Sequence, residues 1–408
     1  MSIIFTIILI IFMSIVVLLV EKNIFKKTLT PSVLLMIPFF VALFVNLAFS
    51  YSLGYRVVNI KTVLFIIVNI FIFFLIGQVM NFIFTKGNII KLNYVCIENH
   101  TNLYKICLII ALLSIALSSL NLIKFLLASG FSRISSKEFA DIYGTGIVAH
   151  IRLISYFTFF YFIYDWMVTK RKKSILISII LFGLILIYQV KYQLIWLLLG
   201  AIYLLYLEGK INITIKKALI IILGLFGIFS GVYIISIGSR IGFKNVLSHS
   251  FFNFLLDHFY FYLTSSIQGL DVLLHNQTLI TYDIRYFFMI PFNIWAKLSG
   301  QDYVNIIHDW VNISYDRSTN VYTMFGSIYM NLGYMGTLLG TVLISSFSHI
   351  LYLVSKKSSN IYLKIMNALN MAIITTSFFG FYYNMILVWE SFIVLTAMIV
   401  LSKMTFTN

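Results

Sequence analysis

Apolar runs of about 18 residues or more recur along almost the whole chain, and each is long enough to cross roughly 30 Å of hydrocarbon. In lipid every backbone N–H and C=O must find its partner inside the protein, so spanning segments are helices or a closed barrel. Barrel strands alternate apolar and polar residues over about ten positions. The runs in this chain are apolar on every side, which selects helices. With 61% hydrophobic and 10% charged residues over 408 positions, a water-soluble globule is excluded. The predicted fold class is an all-α polytopic membrane protein.

The expected spans are 2–20, 33–51, 61–84, 104–128, 147–168, 174–190, 192–207, 216–236, 328–354, 361–381 and 383–402. Eleven spans put the termini on opposite sides. Lysines gather in alternate loops, at Lys22, Lys26 and Lys27, at Lys170, Lys172 and Lys173, and at Lys356 and Lys357. Positive loops stay in the cytoplasm, so the N-terminus is expected outside and the C-terminus inside. The same placement explains the net charge of +16 without a nucleic-acid partner. The first run has no basic residue before it and no small-residue cleavage site, so it reads as a retained span. Cys96 and Cys107 suggest neither a disulfide framework nor a zinc site. No linker, low-complexity tract or repeat divides the chain, and residues 1–408 read as one domain.

Two stretches escape the apolar rule, both on the outer side. Residues 129–146 form a first polar loop, and residues 237–327 form a long one. The long loop contains FFNFLLDHFYFYL and YFFMIPFNIW, runs too short to cross and too apolar for free solution. They are expected as short amphipathic or re-entrant helices at the interface.

Six of the seven arginines fall on the outer side, namely Arg56, Arg133, Arg152, Arg240, Arg285 and Arg317; Arg171 alone is cytoplasmic. A planar guanidinium grips phosphate or carboxylate with two parallel hydrogen bonds. Outer positive charge opposes the topology rule, so binding an anion is the simplest reason for it. Arg240, Arg285 and Arg317 are the first candidates for holding a diphosphate, with Arg133, Arg152 and Lys191 beside them. Each has a plainer alternative. Arg240 can be an interfacial anchor, Arg285 a partner of Asp283 or Asp271, and Arg317 a partner of Asp316. Arg152 lies inside a span, where an ionisable group marks a site by default. His150 is half a turn away, and Glu390, in the last span, has no evident partner. The acid–base candidates are Asp257, His258 and His308, alongside His249 and Asp309. Asn320, Tyr322 and Thr323 stand at a helix mouth, where free amide donors suit an anion or a sugar hydroxyl. Gly326, Gly333 and Gly336 read mainly as close-packing positions. No HExxH, EF-hand, phosphate-binding glycine loop or nucleophile elbow occurs, so neither metal nor nucleotide cofactor is expected.

The many spans, the late outer loop of about ninety residues and its exit, NVYTMFGSIYMNLGYMG, resemble the bacterial Wzy-type polymerases of oligosaccharide repeat units. The family's late pattern falls on Asn320, Tyr322, Thr323, Gly326, Tyr329, Gly333, Tyr334 and Gly336. Its arginine just past a span falls on Arg240, and an early arginine–glycine motif on Arg133 and Gly144; Lys191 stands where members often carry arginine. The resemblance implies a GT-C-like membrane glycosyltransferase of about eleven helices in the bacterial inner membrane. It would move a growing glycan from undecaprenyl diphosphate onto a new lipid-linked unit at the outer face, without metal or nucleotide, with a chain-length regulator as a partner to look for. The neighbouring readings are an O-antigen ligase and a flippase for the same lipid-linked glycan. Asn-Val-Tyr-Thr in place of a His-Asn pair favours the polymerase over the ligase.

Overall fold

The computed structural model describes residues 3–86, 100–144, 146–304 and 309–403. Among these, fourteen α-helices account for nearly all of the regular structure. They are α1 (Ile3–Phe25), α2 (Pro31–Phe49), α3 (Ile60–Lys86), α4 (His100–Ser129), α5 (Lys137–Gly144), α6 (Gly146–Thr169), α7 (Lys172–Tyr188), α8 (Lys191–Leu207), α9 (Ile215–Ile241), α10 (His249–His275), α11 (Met289–Ser299), α12 (Met324–Lys357), α13 (Ile361–Thr376) and α14 (Ile386–Lys403). Two short strands, β1 (Val311–Asn312) and β2 (Ser318–Thr319), pair antiparallel.

Each of the eleven expected segments is occupied by one helix. Seven of them are long and apolar enough to cross a membrane: α1, α2, α3, α4, α6, α9 and α12. The other four, α7, α8, α13 and α14, run 16 to 18 residues. At 1.5 Å per residue that is about 24–27 Å, short of a full hydrocarbon crossing. The boundaries have local causes. Thr30 caps α2, accepting from the Val33 amide at 3.5 Å, with Pro31 at the first helical position. Thr214 caps α9 through the Lys217 amide. Gln189, left-handed at φ 63°, turns α7 into α8. The faces of α9 carrying Leu219, Ile220, Ile222 and Leu223 are exposed. Apolar surface of that extent is tolerable in lipid and costly in water.

The chain divides into two compact units. One comprises Met1–Leu92, Tyr260–Val354 and Ile373–Trp389; the other comprises Asn93–Phe259, Ser355–Ala372 and Glu390–Asn408. In the first, α1, α2 and α3 pack on one another, and Phe39 stacks on Phe325 of α12 at 5.1 Å. In the second, α6 is the central helix, packed by α4, α7 and α8, with Ser155–Phe162 buried throughout.

The long outer segment departs from expectation. FFNFLLDHFYFYL does not form a short surface helix; it opens the 27-residue α10. The continuation is polar in sequence but buried from Thr264 to Asp271. Asp271 is the reason that burial is tolerable. It accepts hydrogen bonds from Arg56 Nε (2.6 Å), the Asn59 amide (2.8 Å) and Thr62 Oγ1 (2.6 Å). Among the described residues only α11, at 11 residues, matches the short helices expected there. Gly333 also differs from its reading as a packing position. Its φ of 65° and ψ of −166° break α12, a conformation open essentially to glycine alone. The Tyr282 ring lies against it.

Candidate functional site

The early outer loop is anchored before it carries any charge. Ser136 caps α5, accepting from the Phe139 amide at 3.1 Å. Phe125, Ile134, Phe139 and Tyr143 then bury together, with Tyr188 and Ile235 packed against them. This apolar plug fixes the loop on the ends of α4, α7 and α9.

Around the plug, the second unit gathers four of the cations singled out in the sequence. Arg152 is only 2% exposed. Its Nη1 donates to the Tyr143 carbonyl, and its guanidinium lies 4.0 Å from the Tyr188 ring and 4.8 Å from the Tyr143 ring. Its Nε is buried without an acceptor, and among the described residues no carboxylate forms an ion pair with it. Burial pushes the Tyr143 hydroxyl above its ordinary range, against the pull of the Arg152 charge. Beyond Tyr188, the Gln189 amide reaches the Ile134 carbonyl and Ser135 Oγ, both at 3.4 Å. Arg240, in the last turn of α9, donates to the Ser135 carbonyl at 2.6 Å. Arg133, two residues earlier, pairs with Glu138 at 3.6 Å with both side chains open to solvent. Lys191 opens α8 with Nζ 4.3 Å from the Tyr233 ring. Ser135 and Gln189 therefore tie Arg152, Arg240 and the loops bearing Arg133 and Lys191 into one group.

His258 joins the same group through Tyr233, whose ring meets the imidazole edge-on at 5.4 Å. Phe254 lies along the other side at 3.8 Å. His258 Nδ1 is 3.2 Å from the Phe254 carbonyl. A carbonyl only accepts, so this nitrogen carries the hydrogen and Nε2 keeps its lone pair in the neutral ring. Asp257 Oδ2 stands 3.8 Å from that same Nδ1.

His249 of the second unit lies 3.3 Å from the Asn253 amide; the other candidates belong to the first unit, and the fold already uses several of them. Arg285 forms two hydrogen bonds to Asp283, Nε to Oδ1 and Nη2 to Oδ2, each 2.9 Å. Those bonds hold the Asp283 carboxyl below its ordinary range. Arg317 lies about as far from the Tyr55 ring (6.0 Å) as from the Phe261 ring (5.9 Å). Thr323 is a cap, accepting from the Gly326 amide at 3.0 Å. Tyr322 is buried and donates to the Asp309 carbonyl at 3.1 Å; burial pushes its hydroxyl up to about 12. Asn320 is half-buried beside them. Asp271 pairs with Arg56. His308 lies outside the described residues.

One contact was not visible in the sequence. Glu390, which had no evident partner there, receives His150 Nδ1 at 2.7 Å, in the second unit. Each residue stands four positions inside its helix, α6 and α14. Against the expected spans, which start at 147 and 383, the two stand at different depths, so the sequence carried no signal that paired them.

No curated protein and no solved structure matches the chain. Residues 54–408 match the model of a family of unknown function (DUF6337), and the chain belongs to that family.

Proposed function

We propose that this protein is a membrane glycosyltransferase that polymerises undecaprenyl-diphosphate-linked oligosaccharide units. In this reading it crosses the bacterial inner membrane eleven times, with the N-terminus outside, the C-terminus cytoplasmic and the reaction at the outer face. The acceptor hydroxyl oxygen bonds to the anomeric carbon of the growing glycan. The bond from that carbon to the diphosphate oxygen breaks, and its electron pair leaves with the diphosphate. Negative charge accumulates on the leaving group, so fixed cations accelerate the step. Arg240, Lys191, Arg133 and the buried charge of Arg152 fill that role, and His258 Nε2, alongside Asp257, takes the acceptor proton.

The observation that carries the reading is Arg152. It is a buried guanidinium with no carboxylate in an ion pair among the described residues, next to two cation-bearing loops. Leaving a buried charge unpaired costs several kcal/mol, and a site for a polyanion is a reason to retain one. The sequence resemblance supplies the identity of the anion.

The test is deletion of the gene followed by electrophoresis of the surface glycan. Loss of polymerase leaves a core bearing a single repeat, whereas loss of a ligase leaves a bare core and loss of a flippase traps repeat units inside. Complementation with Arg240→Ala or Arg152→Met is expected to restore membrane protein without restoring long chains. A normal ladder in the deletion strain refutes the reading.

A further inference from the structure

The first unit contains a buried polar cluster that plays no part in this chemistry. Glu21, near the end of α1, is 0% exposed. Gln78 of α3 donates Nε2 to Glu21 Oε1 at 3.1 Å. The hydroxyls of Thr30 and Ser32, where the chain enters α2, also reach the Glu21 carboxyl. Ser32 Oγ lies 3.0 Å from His349 Nε2 on α12, and His349 Nδ1 lies 2.8 Å from the Ser345 carbonyl. His349 is as inaccessible as Glu21, with the Phe73 ring 5.3 Å away. Gly77 makes room for it, since a Cβ there would collide with the imidazole.

Two atoms are left over. Glu21 Oε2 and Gln78 Oε1 are both buried, and neither has a donor. Both are acceptors when the carboxyl is ionised, so the cluster lacks a hydrogen. A proton on Oε2 supplies it, since acid and amide can then close a ring of two hydrogen bonds. The imidazole offers that proton a second place. Nδ1 must carry a hydrogen to bond the Ser345 carbonyl. If Nε2 is bare, Ser32 donates to it and has no hydrogen left for Glu21. If Nε2 is protonated, Ser32 can turn and donate to the Glu21 carboxylate. With the proton on Oε2 and Nε2 bare, or on Nε2 and Oε2 bare, Glu21 and His349 together hold one proton more than a bare carboxylate beside a neutral imidazole.

The surroundings offer no substitute charge. Lys22 on α1 and Lys356 and Lys357 at the end of α12 are exposed, and Lys27 before α2 is half-buried. Among the described residues no ion pair reaches Glu21. The side chains that hydrogen-bond its carboxyl are those of Thr30, Ser32 and Gln78, and His349 and Ser345 of α12 complete the array.

The geometry points to a proton-binding site inside the first unit, formed by Glu21, Ser32 and His349, that holds one proton in the folded protein. The unfolded pair also carries one proton, on its free imidazole, until pH passes the ordinary imidazole range, so stability falls as pH rises from that range through the titration of the folded array. The slope reaches about tenfold in the folding equilibrium per pH unit for one proton. An ionisable pair buried among membrane helices would thereby make the packing of α1, α2, α3 and α12 responsive to proton activity.

The experiment is thermal unfolding of the full-length protein in detergent across a pH series, for wild type, Glu21→Gln and Glu21→Ala. Glutamine reproduces the shape and donor of the protonated acid. Glu21→Gln is expected to match wild type at the acid end and to lose the decline that wild type shows toward alkaline pH. Glu21→Ala is expected to be less stable throughout, which reports the packing of the site. A Glu21→Gln profile as steep as wild type, or one as low as Glu21→Ala at the acid end, overturns the assignment. So does recovery of wild-type stability by sodium but not choline at fixed alkaline pH, because the occupant would then be a metal cation. These readouts do not depend on glycosyl transfer.

Discussion

Replacing Arg152 by methionine separates a charge kept for packing from one kept for a ligand. The structure sets both sides of the estimate. Removing the guanidinium gives up two ring contacts, worth about 0.5–2 kcal/mol each, and one hydrogen bond from a charged donor, worth about 1.5–3 kcal/mol. It also removes the desolvation cost of a buried cation that has no carboxylate partner, several kcal/mol in the opposite direction. The terms nearly cancel, and Arg152→Met should leave stability within about 2 kcal/mol of wild type. The effect on transfer is larger. Arg152 lies 4.0 Å from one face of the Tyr188 ring, so an anion on the opposite face would be about 8 Å from the charge, which at an effective dielectric of about 20 is worth about 2 kcal/mol per unit charge. That corresponds to roughly thirtyfold in rate for one unit of charge developing on the leaving group. Arg152→Lys keeps the charge but loses the planar stack, and should retain more activity than Arg152→Met. The assay is the glycan ladder in a complemented deletion strain, read beside the unfolding midpoint of each purified variant. A stable Arg152→Met protein that makes full-length chains refutes the reasoning; one that unfolds at low temperature refutes the cancellation and returns the residue to a packing role.

Asp271→Asn should destabilise the protein by about 3 kcal/mol, at the low end for breaking a buried ion pair because Arg56 is half open to solvent. Thermal unfolding checks it, and Arg56→Ala should cost at least as much, because it leaves the buried Asp271 carboxylate without its cation. Gly333→Ala should cost about 1–3 kcal/mol because it forces a side chain into a glycine conformation, and the same measurement applies. The exposed Asp283–Arg285 pair has its effect on titration. Arg285→Ala should return the Asp283 carboxyl upward toward its ordinary value, as read by carbon NMR. The sign follows from the lowered value: the pair's contribution is complete above the unfolded carboxylate's range and disappears as pH falls through the folded one.

What the sequence revealed depended on how far apart the interacting residues lie. The apolar segments were legible as helices because a local property, a run of sufficient length, specifies them; seven are long and apolar enough to cross a membrane, four are shorter, and the run at 328–354 is broken at Gly333. Thr30 before Pro31 and Thr214 before α9 were equally local. The long outer segment was misread because its polar residues look solvated one at a time. Asp271 is buried by donors that lie more than 200 positions earlier, and no local pattern announces that match. Glu390 and His150 went unpaired for the same reason. At the candidate site, the outer arginines were visible as a charge anomaly. The sequence offered Asp283 as one partner for Arg285, which the ion pair bears out, but ranked Arg285 ahead of Arg152, which has no carboxylate in an ion pair among the described residues. Gly333 was read with Gly326 and Gly336 as a packing position, because the positive φ that requires glycine depends on how the two halves of α12 are angled.

The Asp271 node also has a consequence for synthesis. Arg56 leaves the ribosome 215 residues ahead of the carboxylate that receives it. At roughly 5–20 residues per second, that interval lasts about 10–40 s. Throughout it the connection between α2 and α3 has been made while its anchor has not, and the Asn59 and Thr62 donors wait with it. The early hairpin of helices must therefore be held by lipid, water or the insertion machinery until the second half of α10 arrives.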